Sequence, residues 1–137
     1  IIMFLIPSFD LIKVNNTNDD NGNWVNFLET DITELIENDK LVFIDITADW
    51  CATCQFNKVN VLNSNKIIQL FKDNNVFLVR ADWTRPNQKV NIFLEKYERF
   101  GIPFNAFFSK NFPDGILLSE LLSEKEILEA INKIKNE

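Results

Sequence analysis

The sequence predicts an α/β fold, with a central mixed sheet flanked by helices, in the element order βαβαβαββα. Apolar runs typical of buried strands alternate along the chain with amphipathic helical patterns, which favours parallel pairing through right-handed crossovers. Near the C-terminus, two apolar runs on either side of the turn Asn111–Gly115 are close enough to pair as an antiparallel hairpin. The sheet is therefore expected to be mostly parallel, with an antiparallel edge.

Hydrophobic spacing and turn signals give the expected bounds of each strand. The predicted strands are Trp24–Leu28, Leu41–Thr47, Val76–Asp82, Phe104–Ser109 and Ile116–Leu122. Leu41–Thr47 is almost continuously apolar, as expected of a strand that is covered on both faces.

Capping signals place the helices between these strands. Asp31–Glu34 and Ser123–Glu126 have the spacing of capping boxes and are expected to open the first and last helices. Thr84–Pro86 suits the start of another helix, and Gly101 fits the C-terminal cap of that helix. A further helix is expected to begin at Cys51 and to be interrupted or re-capped at Asn63–Asn65. The apolar side chains spaced to face inward from it are Phe56, Val59 and Leu62.

Composition limits the possible classes of function. At 137 residues the chain is long enough for one domain with a hydrophobic core, and 46% of its residues are apolar. A net charge of −6, without a run of basic residues, argues against a nucleic-acid partner. The chain has no His, which removes the commonest general base and the commonest metal ligand.

The domain is predicted to occupy residues 24–137, after a beginning of different character in residues 1–23. Residues 1–7 are an apolar run that is too short to span a bilayer, which needs about 20 residues. They are expected either to pack on the domain or a neighbour, or to end a preceding transmembrane segment. Residues 15–23 are then a polar linker. Because the chain starts without an initiator Met, we expect it to be a fragment of a longer protein that includes a membrane domain.

Both cysteines lie in one motif, Cys51-Ala-Thr-Cys54, at the predicted junction of a strand and a helix. A Cys-x-x-Cys in this position indicates a thioredoxin-like redox site. Two intervening residues let the sulfurs bond, and a helix N-terminus stabilises a thiolate at the first cysteine. We therefore expect Cys51 to be the exposed attacking thiol and Cys54 the resolving thiol. The alternatives are a structural disulfide or half of a zinc site, although the chain has no further Cys or His to complete the latter.

The longer segment Val42-Phe-Ile-Asp-Ile-Thr-Ala-Asp-Trp-Cys-Ala-Thr-Cys54 resembles the C-terminal, thioredoxin-like periplasmic domain of the DsbD family of thiol:disulfide interchange proteins. Arg80-Ala-Asp-Trp-Thr84 and Phe100-Gly-Ile-Pro103 fit the same family, and the likeness covers about residues 24–135. It implies a protein-disulfide reductase domain that receives electrons from a membrane-embedded domain of the same protein and passes them to oxidised periplasmic proteins. It also implies a periplasmic location, tethered to the inner membrane, with no metal and no cofactor beyond the cysteine pair.

The resemblance also gives Asp45 a role. This carboxyl is expected to take the Cys54 proton during exchange and return it later, with burial favouring its protonated form. The alternative is a hydrogen-bonded Asp of structural use only. A buried carboxylate without a partner would burden the fold, so Asp45→Asn or Asp45→Leu is expected to raise the free energy of unfolding by roughly 1–4 kcal/mol. Lys58 stands where the family commonly has a Glu, so proton handling is expected to depend on Asp45 alone.

The remaining site residues are expected to shape the surface around the cysteines. Trp50 either shields the disulfide and forms part of the docking surface, or simply packs. The resemblance implies a cis peptide between Ile102 and Pro103, which would face Cys51 and expose the Ile102 backbone for strand-like pairing with a partner chain. Phe104 is bulkier than the Thr of ordinary thioredoxins and is expected to narrow the range of partners.

Two other functions fit the same residues. One is a free-standing thioredoxin, or a cytochrome-maturation reductase of the same fold. The other is a non-catalytic module that binds copper through its thiolates. Preceding transmembrane helices in the complete gene would favour the relay, and copper loading compared with reduction of insulin disulfides would test the binding module.

Overall fold

The computed structural model describes residues 23–137, so the predicted stub and most of the linker lie outside the described residues. The strands are β1 (Val25–Asn26), β2 (Val42–Thr47), β3 (Phe77–Asp82), β4 (Phe104–Phe108) and β5 (Ile116–Leu117). The helices are α1 (Ile32–Glu37), α2 (Ala52–Asn57), α3 (Asn65–Asp73), α4 (Gln88–Lys96) and α5 (Glu124–Asn136). A 3-10 turn at Phe27–Glu29 follows β1, and a π-helical turn at Lys58–Leu62 follows α2. None of the helices in this range is long and apolar enough to cross a membrane.

The strands form one mixed sheet in the order β1-β3-β2-β4-β5. β1 and β2 run parallel to β3, whereas β4 is antiparallel to β2, and β5 is antiparallel to β4. The predicted α/β class, the element order and the antiparallel hairpin are therefore confirmed. The almost continuously apolar strand is the central one, and all six of its residues are buried.

Each face of the sheet has its own apolar core. On one face, Phe43 and Phe107 pack beneath the π-helical turn, α3 and α5. On the other face, Ile44, Ala106 and their neighbours pack against α1 and α4. Because side chains alternate along a strand, Asp45 lies on the same face as Phe43, two residues before the end of β2. A charged side chain therefore lies within the core that supports the cysteine motif.

The outer strands are shorter than predicted because local hydrogen bonds compete with the sheet. The predicted first strand, Trp24–Leu28, pairs only over β1, since the Asn26 side chain accepts a bond from the Leu28 N–H at 2.9 Å and begins the 3-10 turn. In the predicted last strand, only Ile116–Leu117 belongs to the sheet. Further along, the Leu122 N–H donates to Asn57 Oδ1 at 3.0 Å instead of to another strand.

The prediction that Phe56 and Val59 face inward is wrong, whereas Leu62 is buried as expected. In the π-helical turn that follows α2, the Asn63 N–H donates to the Lys58 carbonyl five residues earlier at 2.8 Å. The buried residues of this segment, Cys54, Asn57 and Val61, are spaced three and four positions apart, so they share one helical face, and Phe56 and Val59 lie on the other side. The break before α3 was expected, and Ser64 caps that helix.

The start and end of α4 also differ from the prediction. Asn87, not Thr84, is its N-cap, and the Asn87 side chain accepts from the N–H groups of Lys89 and Val90. The helix ends at Lys96, so Gly101 is not its C-terminal cap. Glu98 takes a positive φ of 56°, and the chain turns there. The first residues of the two predicted capping boxes, Asp31 and Ser123, do cap their helices.

Candidate redox site

The cysteine motif lies directly after the central strand. Cys51 is the N-cap of α2 and is disulfide-bonded to Cys54, with their Cα atoms 5.2 Å apart. The Cys54 N–H donates to Cys51 Sγ across 3.2 Å. After reduction, this donor at the start of the helix would stabilise negative charge on Cys51 rather than on Cys54. The geometry therefore agrees with Cys51 as the attacking sulfur.

The two sulfurs are less accessible than predicted. Cys51 is 7% exposed and Cys54 2%, so the expectation of an exposed Cys51 is correct only relative to Cys54. Both cysteines pack with Ala48, and Ile102 closes over this small cluster. The packing around the pair therefore leaves only a small part of Cys51 open to a partner.

That loop is held by the segment that follows β3. The Asp49 N–H donates to Thr84 Oγ1 at 3.0 Å, and Trp50 Nε1 donates to the Thr84 carbonyl at 3.1 Å. The Trp83 N–H donates to the Thr47 carbonyl at 2.7 Å, and its ring lies 6.4 Å from that of Trp50. Trp50 remains 62% exposed, so it is anchored at its indole nitrogen while its ring faces solvent.

The Ile102–Pro103 peptide is cis, as the family resemblance implied. Pro103 is buried directly before β4, and Ile102 contacts the cysteine cluster. The structure therefore brings the proline loop and the cysteine motif together, although they are separated by about fifty residues in the chain.

Phe104 lies beneath this surface and is not part of it, and its effect on the range of partners stays a prediction. It is 3% exposed, and its ring packs against Phe93 and Tyr97 on the α4 side of the sheet. The reason is strand alternation, which turns the residue after Pro103 away from the cysteines. Its neighbour Asn105 lies on the opposite face, the one that carries Asp45.

Asp45 is buried as predicted, but it has a partner. Arg80 Nε donates to Asp45 Oδ2 at 2.8 Å, and the exposed fractions of the two side chains are 9% for Arg80 and 4% for Asp45. The two residues are register partners on β3 and β2. The other side of the guanidinium is covered by the Trp24 ring, whose centroid lies 3.9 Å from Arg80 Cζ. The premise that Asp45 is an uncompensated burden on the fold is therefore wrong, because its charge is balanced by a cation.

Residues 23–110 match the family model described as thioredoxin-like. The chain belongs to the thioredoxin-like family. It is 26% identical over 108 residues to the thiol:disulfide interchange protein DsbD of Campylobacter jejuni strain RM1221, which covers 79% of this chain but only 18% of that relative's length.

Solved structures show the same fold. The C-terminal domain of Neisseria meningitidis DsbD in its oxidised form superimposes with a TM-score of 0.60 at 23% identity, covering 74% of this chain and 86% of that one. A thioredoxin from Thermus thermophilus also has a TM-score of 0.60, at 16% identity, with coverage of 82% of this chain and 85% of that one. The chain is thus a thioredoxin-like domain that is similar to part of DsbD and carries a cysteine pair that forms a disulfide.

Sequence reasoning missed several residues of this thioredoxin-like site. The sequence places Arg80 in a strand and in a segment that resembles the family but gives it no role, although a lone cation in the apolar run Val76–Asp82 is a signal that a buried anion lies nearby. Thr84 was assigned to a helix start, whereas it anchors the loop before Cys51. No sequence signal indicated Asn57, whose buried amide bonds to the backbone at Glu120 and Leu122. Between residues 23 and 137, no group of three or more His, Cys, Asp or Glu side chains is arranged to hold a metal ion.

The position of the cysteines predicts the order of their reactivity. Alkylation of the reduced protein near neutral pH is expected to modify Cys51 before Cys54, because Cys51 is the helix cap and the more accessible of the two. Peptide mass mapping after a brief exposure to iodoacetamide measures this. Faster labelling of Cys54 would reverse the assignment of attacking and resolving thiols.

Proposed function

We propose that this chain is a protein-disulfide reductase domain that relays electrons between other thiol proteins. It would receive them from a membrane-embedded domain of the same protein and pass them to oxidised periplasmic proteins. The observation that carries the proposal is the disulfide at the start of α2, beside the cis-proline loop, in a chain related to DsbD. The periplasmic location and the tether to the inner membrane are part of the same proposal.

The reaction needs only the cysteine pair. The Cys51 thiolate attacks a disulfide sulfur of the oxidised partner, and the first partner sulfur leaves as a thiolate. Cys54 then gives up its proton, attacks Cys51 Sγ and releases the second partner sulfur. Two electrons pass from the dithiol of this domain to the disulfide of its partner. No metal or organic cofactor takes part.

Asp45 is the proposed acceptor of the Cys54 proton. It lies on the sheet face covered by the helical segment that carries Cys54, and the carboxyl is shielded from solvent. In the reverse half of the cycle, when an electron donor reduces the disulfide, the Asp45 carboxyl returns the proton to the leaving Cys54 thiolate. This assignment makes resolution of the mixed disulfide, rather than the first attack, the step that depends on Asp45.

The proposed docking surface consists of the exposed Trp50 ring and the backbone of Ile102. Trp50 is fixed at its indole N–H, so its ring offers a preorganised apolar contact. The backbone before Pro103 can pair with an extended segment of the partner, as in strand addition. The partner disulfide would then be held against Cys51.

The redox potential tests the direction of electron flow. The residues between the cysteines, Ala52 and Thr53, provide no charge to stabilise a thiolate, so we expect a reducing couple nearer thioredoxin (about −270 mV) than DsbA (about −120 mV). Equilibration with glutathione buffers measures it, and reduction of insulin disulfides is the companion assay. A potential above roughly −180 mV would contradict the reductase function. Stoichiometric copper loading without insulin reduction would favour the binding module instead.

A further inference from the structure

Asn57 is a polar side chain in the core, at the end of the helix that carries the cysteines. It is the last residue of α2 and is only 1% exposed. Its Nδ2 donates to the Glu120 carbonyl at 2.8 Å, and its Oδ1 accepts from the Leu122 N–H at 3.0 Å. The amide therefore attaches α2 to a segment 63 to 65 residues further along the chain.

The segment that Asn57 holds is itself fixed to the sheet. It consists of residues 118–122, between β5 and α5. The Leu118 N–H donates to the Asn105 carbonyl on β4 at 2.9 Å, and the side chains of Leu118 and Leu122 are buried in the core. Asn57 therefore anchors α2 to a well-packed part of the domain rather than to a free loop.

The two sulfurs are held in place by different contacts. Cys51 follows the loop that hydrogen-bonds to Thr84, and its N–H donates to the Ala48 carbonyl at the start of that loop at 3.2 Å. Cys54 lies inside α2, one turn before Asn57 and on the same face of the helix. The position of Cys54 therefore depends on where Asn57 fixes the end of the helix, whereas that of Cys51 depends on the loop.

The contact at Asn57 matters most when the disulfide is open. In the oxidised protein, the bond between Cys51 and Cys54 keeps the first turn of α2 in place. After reduction this constraint is lost, and α2 together with the π-helical turn that follows it covers only residues 52–62. Isolated helices shorter than about 12–15 residues are marginal in water. The reduced helix therefore depends on its contacts with the rest of the domain, and the Asn57 amide supplies two of them.

We propose that Asn57 is a positioning residue for thiol–disulfide exchange, which keeps the reduced Cys54 within reach of Cys51 by anchoring the end of α2. This inference rests on the proposed function, in which Cys54 resolves the mixed disulfide. In that step the Cys54 proton passes to its proposed acceptor, Asp45, and the Cys54 sulfur forms a bond with Cys51 Sγ. The bond between Cys51 and the partner sulfur breaks, and the partner leaves as a thiolate with the electron pair. Asn57 exchanges no proton or electron, but it sets the distance that the Cys54 sulfur must cross.

The stability of the Cys51–Cys54 disulfide relative to the dithiol tests this role. Asn57→Leu keeps a similar side-chain volume but removes both bonds to the backbone, so the reduced helix gains freedom that the disulfide denies to the oxidised helix. The equilibrium constant for disulfide formation against glutathione should fall about fivefold or more, which corresponds to the net contribution of one hydrogen bond. A purely structural contact would stabilise the oxidised and reduced forms equally, so an unchanged constant would overturn the inference. Asn60→Leu removes an exposed amide that bonds to the Phe56 carbonyl of the same helical segment, and this matched control should leave the constant unchanged.

Stopped-flow absorbance on the reduced 137-residue chain separates the inference from the function on which it rests. With one equivalent of an aromatic disulfide, attack by Cys51 releases one coloured thiolate, and attack by Cys54 releases the second. Asn57→Leu should slow only the second release. If Cys54→Ala still releases the second thiolate at the wild-type rate, the resolving role of Cys54 in the proposed function is wrong. If Cys54→Ala prevents that release but Asn57→Leu changes neither the release nor the glutathione equilibrium, the role of Asn57 is wrong while the function stands.

A measurement on the wild type does not depend on whether the Asn57 variant folds. The Leu122 N–H donates to Asn57 Oδ1, so the hydrogen-exchange rate of this amide reports on the anchor directly. We expect it to exchange slowly, relative to an unstructured amide, in both the oxidised and the reduced protein. Rapid exchange in the reduced protein would overturn the inference, because the anchor would then be open when Cys54 attacks.

Discussion

Asp45→Leu is expected to lower the free energy of unfolding by about 3–5 kcal/mol, the usual effect of removing one partner from a buried ion pair. The substitution leaves the Arg80 guanidinium in the core, where its exposed fraction is 9% and the carboxylate no longer balances its charge. Asp45→Asn should cost less, because an amide oxygen can still accept the Nε–H bond. Urea denaturation of the oxidised proteins at neutral pH measures both changes.

A double variant provides the control for this prediction. Asp45→Leu combined with Arg80→Met removes both charges and replaces them with apolar side chains, so it should recover most of the lost stability or exceed the wild type. Equal stability of the wild type and the Asp45→Leu single variant would contradict the ion-pair explanation. A more stable Asp45→Leu variant would restore the view that the carboxylate burdens the fold.

Cys54→Ala is expected to abolish turnover and to trap partners on Cys51. Without the resolving sulfur, the mixed disulfide formed by Cys51 cannot be released from within the domain. The variant, expressed in the cell, should therefore accumulate disulfide-linked species that disappear on reduction. Non-reducing electrophoresis followed by mass spectrometry identifies the linked proteins.

The complementary variant tests whether the trap is specific. Cys51→Ala leaves only the more deeply buried Cys54, so it should capture little or nothing. Equal capture by both variants would mean that the two sulfurs are interchangeable in attack, contrary to their positions at the helix start. Capture of a membrane-embedded domain together with periplasmic proteins would support both ends of the proposed relay.

The fold could be predicted from the sequence because its signals are local and mutually consistent. The apolar run of β2, the capping residues Asp31 and Ser123, and the Cys-x-x-Cys motif each depend on a few adjacent residues. Errors arose where one local sequence pattern was compatible with two structures. The apolar residues Phe56 and Val59 fit an α-helical stripe, but the buried stripe runs through Cys54, Asn57 and Val61, and hydrophobic spacing does not reveal an inward-facing Asn.

The part of the candidate site that neighbouring residues form could be predicted from the sequence. The part that is assembled from residues on different strands could not. Cys51, Cys54 and Trp50 are adjacent in the chain, and the cis bond before Pro103 followed from a family resemblance. The pairing of Asp45 with Arg80 depends on the register of two parallel strands, which a single sequence does not specify. The sequence raised the possibility that Asp45 has a partner, but only the register identifies which residue it is.

The shortness of the outer strands has a consequence for encounters with other proteins. Within residues 23–137, β1 and β5 each pair with their neighbour over only two residues. Long unpaired strand edges invite lasting association with other chains, including copies of the same chain, and short edges reduce this hazard. In the proposed function, strand-like pairing with another protein takes place beside the disulfide instead, at the backbone of Ile102. A domain built in this way is expected to form brief contacts at its reactive sulfur and to avoid self-association along its sheet.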